Sequence, residues 1–184
     1  MEQKEQEIQV EQKKQTYDTC RPAVTDRELT ETLELLRERG EFVTAVESLT
    51  AGMIAARIAD IPGSSDVLRR AFVTYSDEAK REMVGVRGST LEQWSAVSAQ
   101  TAAEMAEGGA GEASAQACLS ATGYAGPPSG PEDHTVGHVF LGCSYHGIVS
   151  VEEHWYRGER NEVRAQAMND ALRLLRKMIT ADLR

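Results

Sequence analysis

Phe42-Val43-Thr44-Ala45-Val46, running directly into Glu47-Ser48-Leu49-Thr50-Ala51-Gly52 and then into an alanine-rich stretch with Met53, Ile54 and Ile58, decides how this chain folds. The first five residues are apolar or β-branched, the composition of a buried strand, and the residues after Gly52 suit a helix. Only a tight turn separates the two. The stretch therefore reads as strand, turn and helix, the unit from which layered α/β sheets are built.

Upstream, Val24, Leu29, Leu33 and Leu36 fall on one helical stripe that closes at Gly40. Downstream, Ile61-Pro62-Gly63-Ser64-Ser65 stops the central helix and Ala71 to Tyr75 predicts a second strand. Asp77 and Glu78 suit the start of the next helix, where the macrodipole favours anions. Ser98 caps a further helix that is expected to close at Gly108-Gly109, and Ala115 to Ala121 suits a central strand. It empties into Thr122-Gly123-Tyr124-Ala125-Gly126-Pro127 and a polar loop to about Thr135. Val136 to Ser144 and Ile148 to Tyr156 alternate around His146-Gly147 as a hairpin, and a last helix spans about Glu162 to Ile179. The order predicts an α/β fold: a three-layer α/β/α sandwich with a mixed, partly parallel sheet carrying an antiparallel hairpin.

The 184 residues are 41% hydrophobic, enough for one well-buried core, which excludes a disordered regulator and a disulfide-stapled mini-protein. Residues 1–22 stand apart as a flexible or helical charged tail, because Glu, Gln and Lys offer little apolar surface to offset the entropy of ordering. Residues 23–184 form the single domain. Twenty Lys and Arg against 29 Asp and Glu give a formal charge of -9, so nucleic acid is not the expected partner. No apolar run reaches the roughly 20 residues that span a bilayer, and no secretory signal opens the chain, so the expected setting is cytoplasmic, without membrane. Cys20, Cys118 and Cys143 form no Cys-x-x-Cys pair and read as reduced thiols.

Ser48 stands where strand gives way to helix. The N–H groups of Thr50, Ala51 and Gly52 are placed there to hold an oxyanion beside its hydroxyl, but Ser48 or Thr50 in that position also serves as a helix cap. Tyr75 and Lys80 fall at a strand end and in the next helical turn, the sheet edge where ligands collect. A lysine is a base at neutral pH only if its pKa falls by about two to three units, so a solvated Lys80 beside a core Tyr75 is the structural alternative. The Thr122 to Pro127 loop exposes backbone at Gly123 and Gly126, although it has neither the lysine of a P-loop nor the three glycines of a dinucleotide fingerprint. Arg157, Arg160 and Arg164 cluster near the start of the last helix and fit either a phosphate or the carboxylates of Glu159 and Glu162. His134, His138, His146 and His154 match no common zinc spacing, so no metal is expected.

Taken in order, Glu47 to Gly52, Ile61 to Ser65, Phe72 to Lys80, Gly85-Val86, Ala96-Val97-Ser98 and Thr122 to Pro127 resemble the CinA C-terminal domain family over about residues 26 to 180. The resemblance implies a nicotinamide-nucleotide amidohydrolase of pyridine-nucleotide recycling, which converts nicotinamide mononucleotide and water into nicotinate mononucleotide and ammonia without a cofactor. By motif, Ser48 matches the nucleophile, and Tyr75 and Lys80 match its assistants. Glu47, Thr50, Ala51, Gly52, Thr122 and Gly123 match the substrate-binding segments, and Arg160 and Arg164 match a Gly-Asp-Arg-x-x-x-Arg-like segment that here reads Gly158-Glu159-Arg160-Asn161-Glu162-Val163-Arg164. Relatives further imply a homodimer, and the nucleotide-pyrophosphatase-like domain of longer relatives is not expected to act in this chain. Leu49, Ala51, Tyr124 and Pro128-Ser129-Gly130 depart from the family pattern, and Tyr124 and Pro128 are placed to resize the pocket. A catalytically weak nucleotide-binding module and an amidohydrolase of a related substrate are the alternatives. A short-chain dehydrogenase, suggested by a Ser, Tyr and Lys set, fails on the Tyr75 to Lys80 spacing and the missing glycine fingerprint.

Overall fold

A computed structural model describes residues 9–11, 22–130 and 135–181. Strand β1 (Gln9–Glu11) precedes helix α1 (Asp26–Arg39), β2 (Val43–Glu47) and α2 (Met53–Ala59). After a short 3-10 turn at Ser64–Asp66 come β3 (Phe72–Val73), α3 (Asp77–Val84), α4 (Gly88–Trp94) and α5 (Ala99–Ala113). The chain ends in β4 (Ala117–Gly123), β5 (His138–Tyr145), β6 (Ile148–Trp155) and α6 (Arg160–Ala181).

The strands form one sheet in the order β1-β6-β5-β4-β2-β3. Only β5 runs against the others; β2 pairs in parallel with both β3 and β4, and β1 pairs in parallel with β6. Helices α1, α2 and α6 cover one face through Leu29, Leu33, Leu36, Ile54, Ile58, Leu174 and Leu175, while α3, α4 and α5 cover the other through Val84, Leu91 and Met105. The expected three-layer sandwich is therefore the observed one. It brings the C-terminal ends of β2, β3 and β4 to one edge, which is where a parallel sheet receives ligands.

Four local expectations need correction. Within the stretch expected as a flexible or helical tail, Gln9–Glu11 instead pair with Ser150–Glu152 of β6. An edge strand carries unpaired N–H and C=O groups, and any extended neighbour can take them regardless of its side chains. The rest of 1–21, including Cys20, lies outside the described residues, as does His134. Helix α5 does not close at Gly108-Gly109 but continues to Ala113. Those glycines are spacers: a Cβ on Gly108 would overlap the Val84 carbonyl of α3, and one on Gly109 would overlap Val46 and Cys118 of the sheet. The predicted strand at Ala71 to Tyr75 shrinks to Phe72–Val73, and α4 was not anticipated at all.

Cys118 and Cys143 are buried free thiols, and burial raises both pKa values, that of Cys143 to about 12. They pack on opposite faces of the sheet, Cys118 with Val46 and Met105, Cys143 in the larger core. Among the described residues no helix is long and apolar enough to cross a membrane.

Candidate functional site

The turn after β2 is shaped by Glu47. Its side chain is fully buried, and its carboxylate accepts hydrogen bonds from the N–H groups of Gly52 (2.9 Å), Ile54 (3.1 Å) and Ala55 (2.9 Å). A carboxylate thus caps α2, favoured both by the unpaired donors and by the positive end of the helix. Arg164 of α6 holds the other side of the turn, donating to the carbonyls of Leu49 (2.9 Å) and Thr50 (3.1 Å). Ser48 is fixed from β4, its N–H donating to Ala121 O at 2.9 Å. Glu47 and Arg164 were expected to bind substrate; the structure gives them to the turn that presents Ser48.

Lys80 reaches the same place from α3. Its side chain is almost wholly enclosed, 1% exposed, yet it lines a cleft. Nζ lies 3.1 Å from the Thr74 carbonyl, 3.4 Å from Ser48 Oγ and 3.8 Å from an Asp77 carboxylate oxygen. Burial lowers the Lys80 pKa below its ordinary value, and Asp77 pushes part of the way back. This is the desolvated amine that the sequence alone left open.

The cleft encloses about 320 Å³ and is lined by Ser48, Tyr75, Lys80, Thr122, Gly123 and Arg160 among the expected residues. Thr122 is buried and donates to Ala96 O (2.6 Å), which ties β4 to the segment before α5. Gly123 meets no room for a side chain, because a Cβ would overlap the His138 carbonyl. Tyr75 is 59% exposed, and its hydroxyl accepts from Arg160 Nη2 at 2.9 Å rather than bonding to Ser48 or Lys80. Arg160 also donates to the Gly126 carbonyl, so one guanidinium links α6, the glycine loop and the strand end. Thr50, Ala51 and Gly52 do not line the cleft, and Thr50 buries a hydroxyl oxygen without a partner, as does Thr74.

The sequence reading missed Asp77 as a member of the cleft, having taken it only as a helix-starting acid. Its signal was the spacing to Lys80: residues three apart on a helix share a face. Tyr124, expected to resize the pocket, is 41% exposed and does line the cleft, together with Pro127 and Val136.

A family model of the CinA C-terminal domain matches residues 26–179. The chain belongs to the CinA C-terminal domain family. A CinA-like protein of Syntrophobacter fumaroxidans is 41% identical over 149 residues, 81% of this chain and 35% of that protein. The chain thus spans about a third of the length of that relative. Among solved structures, a CinA superfamily protein of Klebsiella pneumoniae is 31% identical and aligns over 86% of this chain and 99% of its own with a TM-score of 0.79. A competence/damage inducible protein of Agrobacterium tumefaciens is 34% identical, with 88% and 99% covered and a TM-score of 0.75. The matched segment holds the sandwich except for β1 and the last residues of α6, and the cleft described above lies entirely inside it.

Proposed function

We propose that this CinA domain hydrolyses the carboxamide of a pyridine nucleotide, converting nicotinamide mononucleotide and water into nicotinate mononucleotide and ammonia. The observation that carries the reading is the pair formed by Ser48 Oγ and the enclosed Lys80 amine at 3.4 Å. An amide is a weak electrophile, and its hydrolysis needs an activated nucleophile, donors for the developing oxyanion and a proton for the departing nitrogen. Neutral Lys80 takes the Ser48 proton as Oγ bonds to the carboxamide carbon. The C–N bond then breaks, the nitrogen leaving as ammonia with the proton returned from Lys80. Water hydrolyses the resulting ester with Lys80 again as base, releasing the carboxylate and restoring Ser48.

Glu47 already takes the N–H groups of Gly52, Ile54 and Ala55, so the turn donor left on the cleft wall for the oxyanion is that of Leu49. Arg160, held at the mouth by Tyr75 and Gly126, suits the substrate phosphate, whose binding energy then orients the distant amide. In this reading Tyr75 positions Arg160 and reaches the leaving group only if substrate displaces that bond. No cofactor takes part. The same reading expects a homodimer in the cytoplasm, with light scattering as the check on the first.

The test is incubation with nicotinamide mononucleotide and other pyridine nucleotides while ammonia is followed. Ammonia from the mononucleotide, lost in Ser48→Ala, is the expected result. Full turnover in Ser48→Ala overturns the mechanism. Calorimetric binding of the nucleotide with no ammonia would make the domain a binding module instead.

A further inference from the structure

We infer that Asp77 is the positioning residue of the amine in this cleft: its carboxylate, 3.8 Å from Nζ, attracts the Lys80 hydrogens to its side so that the nitrogen lone pair faces Ser48, and it supplies the charge against which the ammonium forms. The inference rests on the Ser48–Lys80 reading above and goes beyond it: Asp77 lies inside the Phe72 to Lys80 stretch that resembles the family, but the resemblance gave it no role.

The geometry makes the case. A neutral amine has two hydrogens and one lone pair, and Lys80 Nζ has three polar neighbours, the Thr74 carbonyl, the Asp77 carboxylate and the Ser48 hydroxyl. The first two can only accept, one hydrogen-bonded at 3.1 Å and the other attracting at 3.8 Å, so the hydrogens are drawn to their side and the lone pair is left for the only neighbour that can donate. The carbonyl alone would leave the amine free to rotate a hydrogen toward Ser48. Asp77 also sits where a newly formed ammonium, enclosed and poorly hydrated, gains most from a negative neighbour. The position costs the fold nothing, since an acid in the first turn of α3, after the Ser76 cap, also complements the helix dipole.

The other charges nearby are engaged elsewhere. On α3, Glu78 is held by Ser76 and faces Arg81. On α5, Glu104 and Glu107 face Arg87. Glu47 at the end of β2 caps α2, and Arg160 of α6, across the cleft, is bound to Tyr75 and Gly126. Ser48 and the Thr74 carbonyl bring no charge, so Asp77 is the one carboxylate bearing on this amine among the described residues.

Asp77→Asn keeps size while removing the charge and its attraction for the Lys80 hydrogens. The chain has five lysines, so carbon-13 labelling at Cε lets NMR follow each amine through a pH titration, with the Lys80 signal identified by its absence in Lys80→Gln. The expected result is a Lys80 titration displaced to lower pH by about half a unit to one unit in Asp77→Asn and restored toward the wild-type value in Asp77→Glu. In the ammonia assay the acid limb of kcat/KM moves the same way, while the plateau kcat falls about tenfold because the weaker base is also misaimed. An unmoved Lys80 titration, or one moved to higher pH, overturns the inference. The NMR arm needs no substrate, so a wild-type protein that releases no ammonia defeats the proposed reaction and leaves this test intact.

Discussion

The two ends of the sheet treat their polar side chains in opposite ways. At the end where β2 begins, Tyr145 donates to Glu41 (2.8 Å) and accepts from Arg39, and His146 meets the other oxygen of the same carboxylate at 2.7 Å. Every group there completes another, and the Tyr145 hydroxyl, buried and bonded to Glu41, has its pKa pushed up to about 12. At the end where β2 stops, an amine is enclosed with a carbonyl, a hydroxyl and a carboxylate at distances of 3.1 to 3.8 Å, and two threonine hydroxyls go unpartnered. The first end spends its polar groups on one another. The second leaves the Ser48 hydroxyl and the Lys80 amine facing a cleft, which is what a site for chemistry requires and what stability alone would not select.

The contrast is broken or sharpened most strongly by a crossed pair of substitutions. Ser48→Ala should lower kcat/KM for ammonia release by about a thousandfold or more with little change in the denaturation midpoint. Tyr145→Phe should do the reverse, leaving kcat/KM within about twofold and reducing the unfolding free energy by about 1 to 3 kcal/mol, since Glu41 and Arg39 lose a buried partner. If both variants move the same quantity, the division between the two ends is wrong.

Lys80→Met comes next, with a loss of about a hundredfold to ten-thousandfold in kcat. It also carries a pH signature. Burial lowers the folded-state pKa of Lys80, so between that value and the ordinary unfolded value near 10.4 the unfolded chain binds more protons. Stability therefore rises with pH across that window in the wild type. Urea unfolding of Lys80→Met should lack this rise, and a difference curve flat with pH would mean that the amine is not desolvated.

How much of this was legible in the sequence depends on the distance over which each residue acts. Gly40 as the end of α1, Ser98 as the cap of α5 and the hairpin around His146-Gly147 came out as expected, because capping and turn formation are settled within a few residues. Strand ends singled out Ser48 and Lys80 beside the alternatives of a helix cap and a solvated lysine, and the family resemblance supplied their roles. Glu47 and Arg164 were assigned to substrate by the family resemblance, and only the approach of α2 and α6 reveals that both are engaged with backbone groups. Asp77 had a local signal, its three-residue spacing to Lys80, that was passed over, whereas α4 and the β1 pairing have no local signature.

A smaller effect follows from Glu47. Glu47→Gln should weaken the cap of α2 and reduce stability by about 1 to 2 kcal/mol in thermal unfolding, with a partial loss of activity as the Ser48 turn loosens. The smallest effect belongs to Thr74. Thr74→Val removes a buried hydroxyl that has no partner while leaving the carbonyl that holds Lys80, so the protein should gain up to about 1 kcal/mol and keep its turnover.

The contact between Gly108 and Val84 makes the reach of Lys80 depend on a residue that never meets a ligand. Helix α3 delivers the amine, and its last turn rests against α5 with no gap at that glycine. One added methyl would act as a wedge at the far end of a lever, tilting α3 and drawing Nζ away from the serine. The pairing of Ser48 with Lys80 can therefore be lost by a change on the outer layer that leaves every wall of the cleft chemically intact.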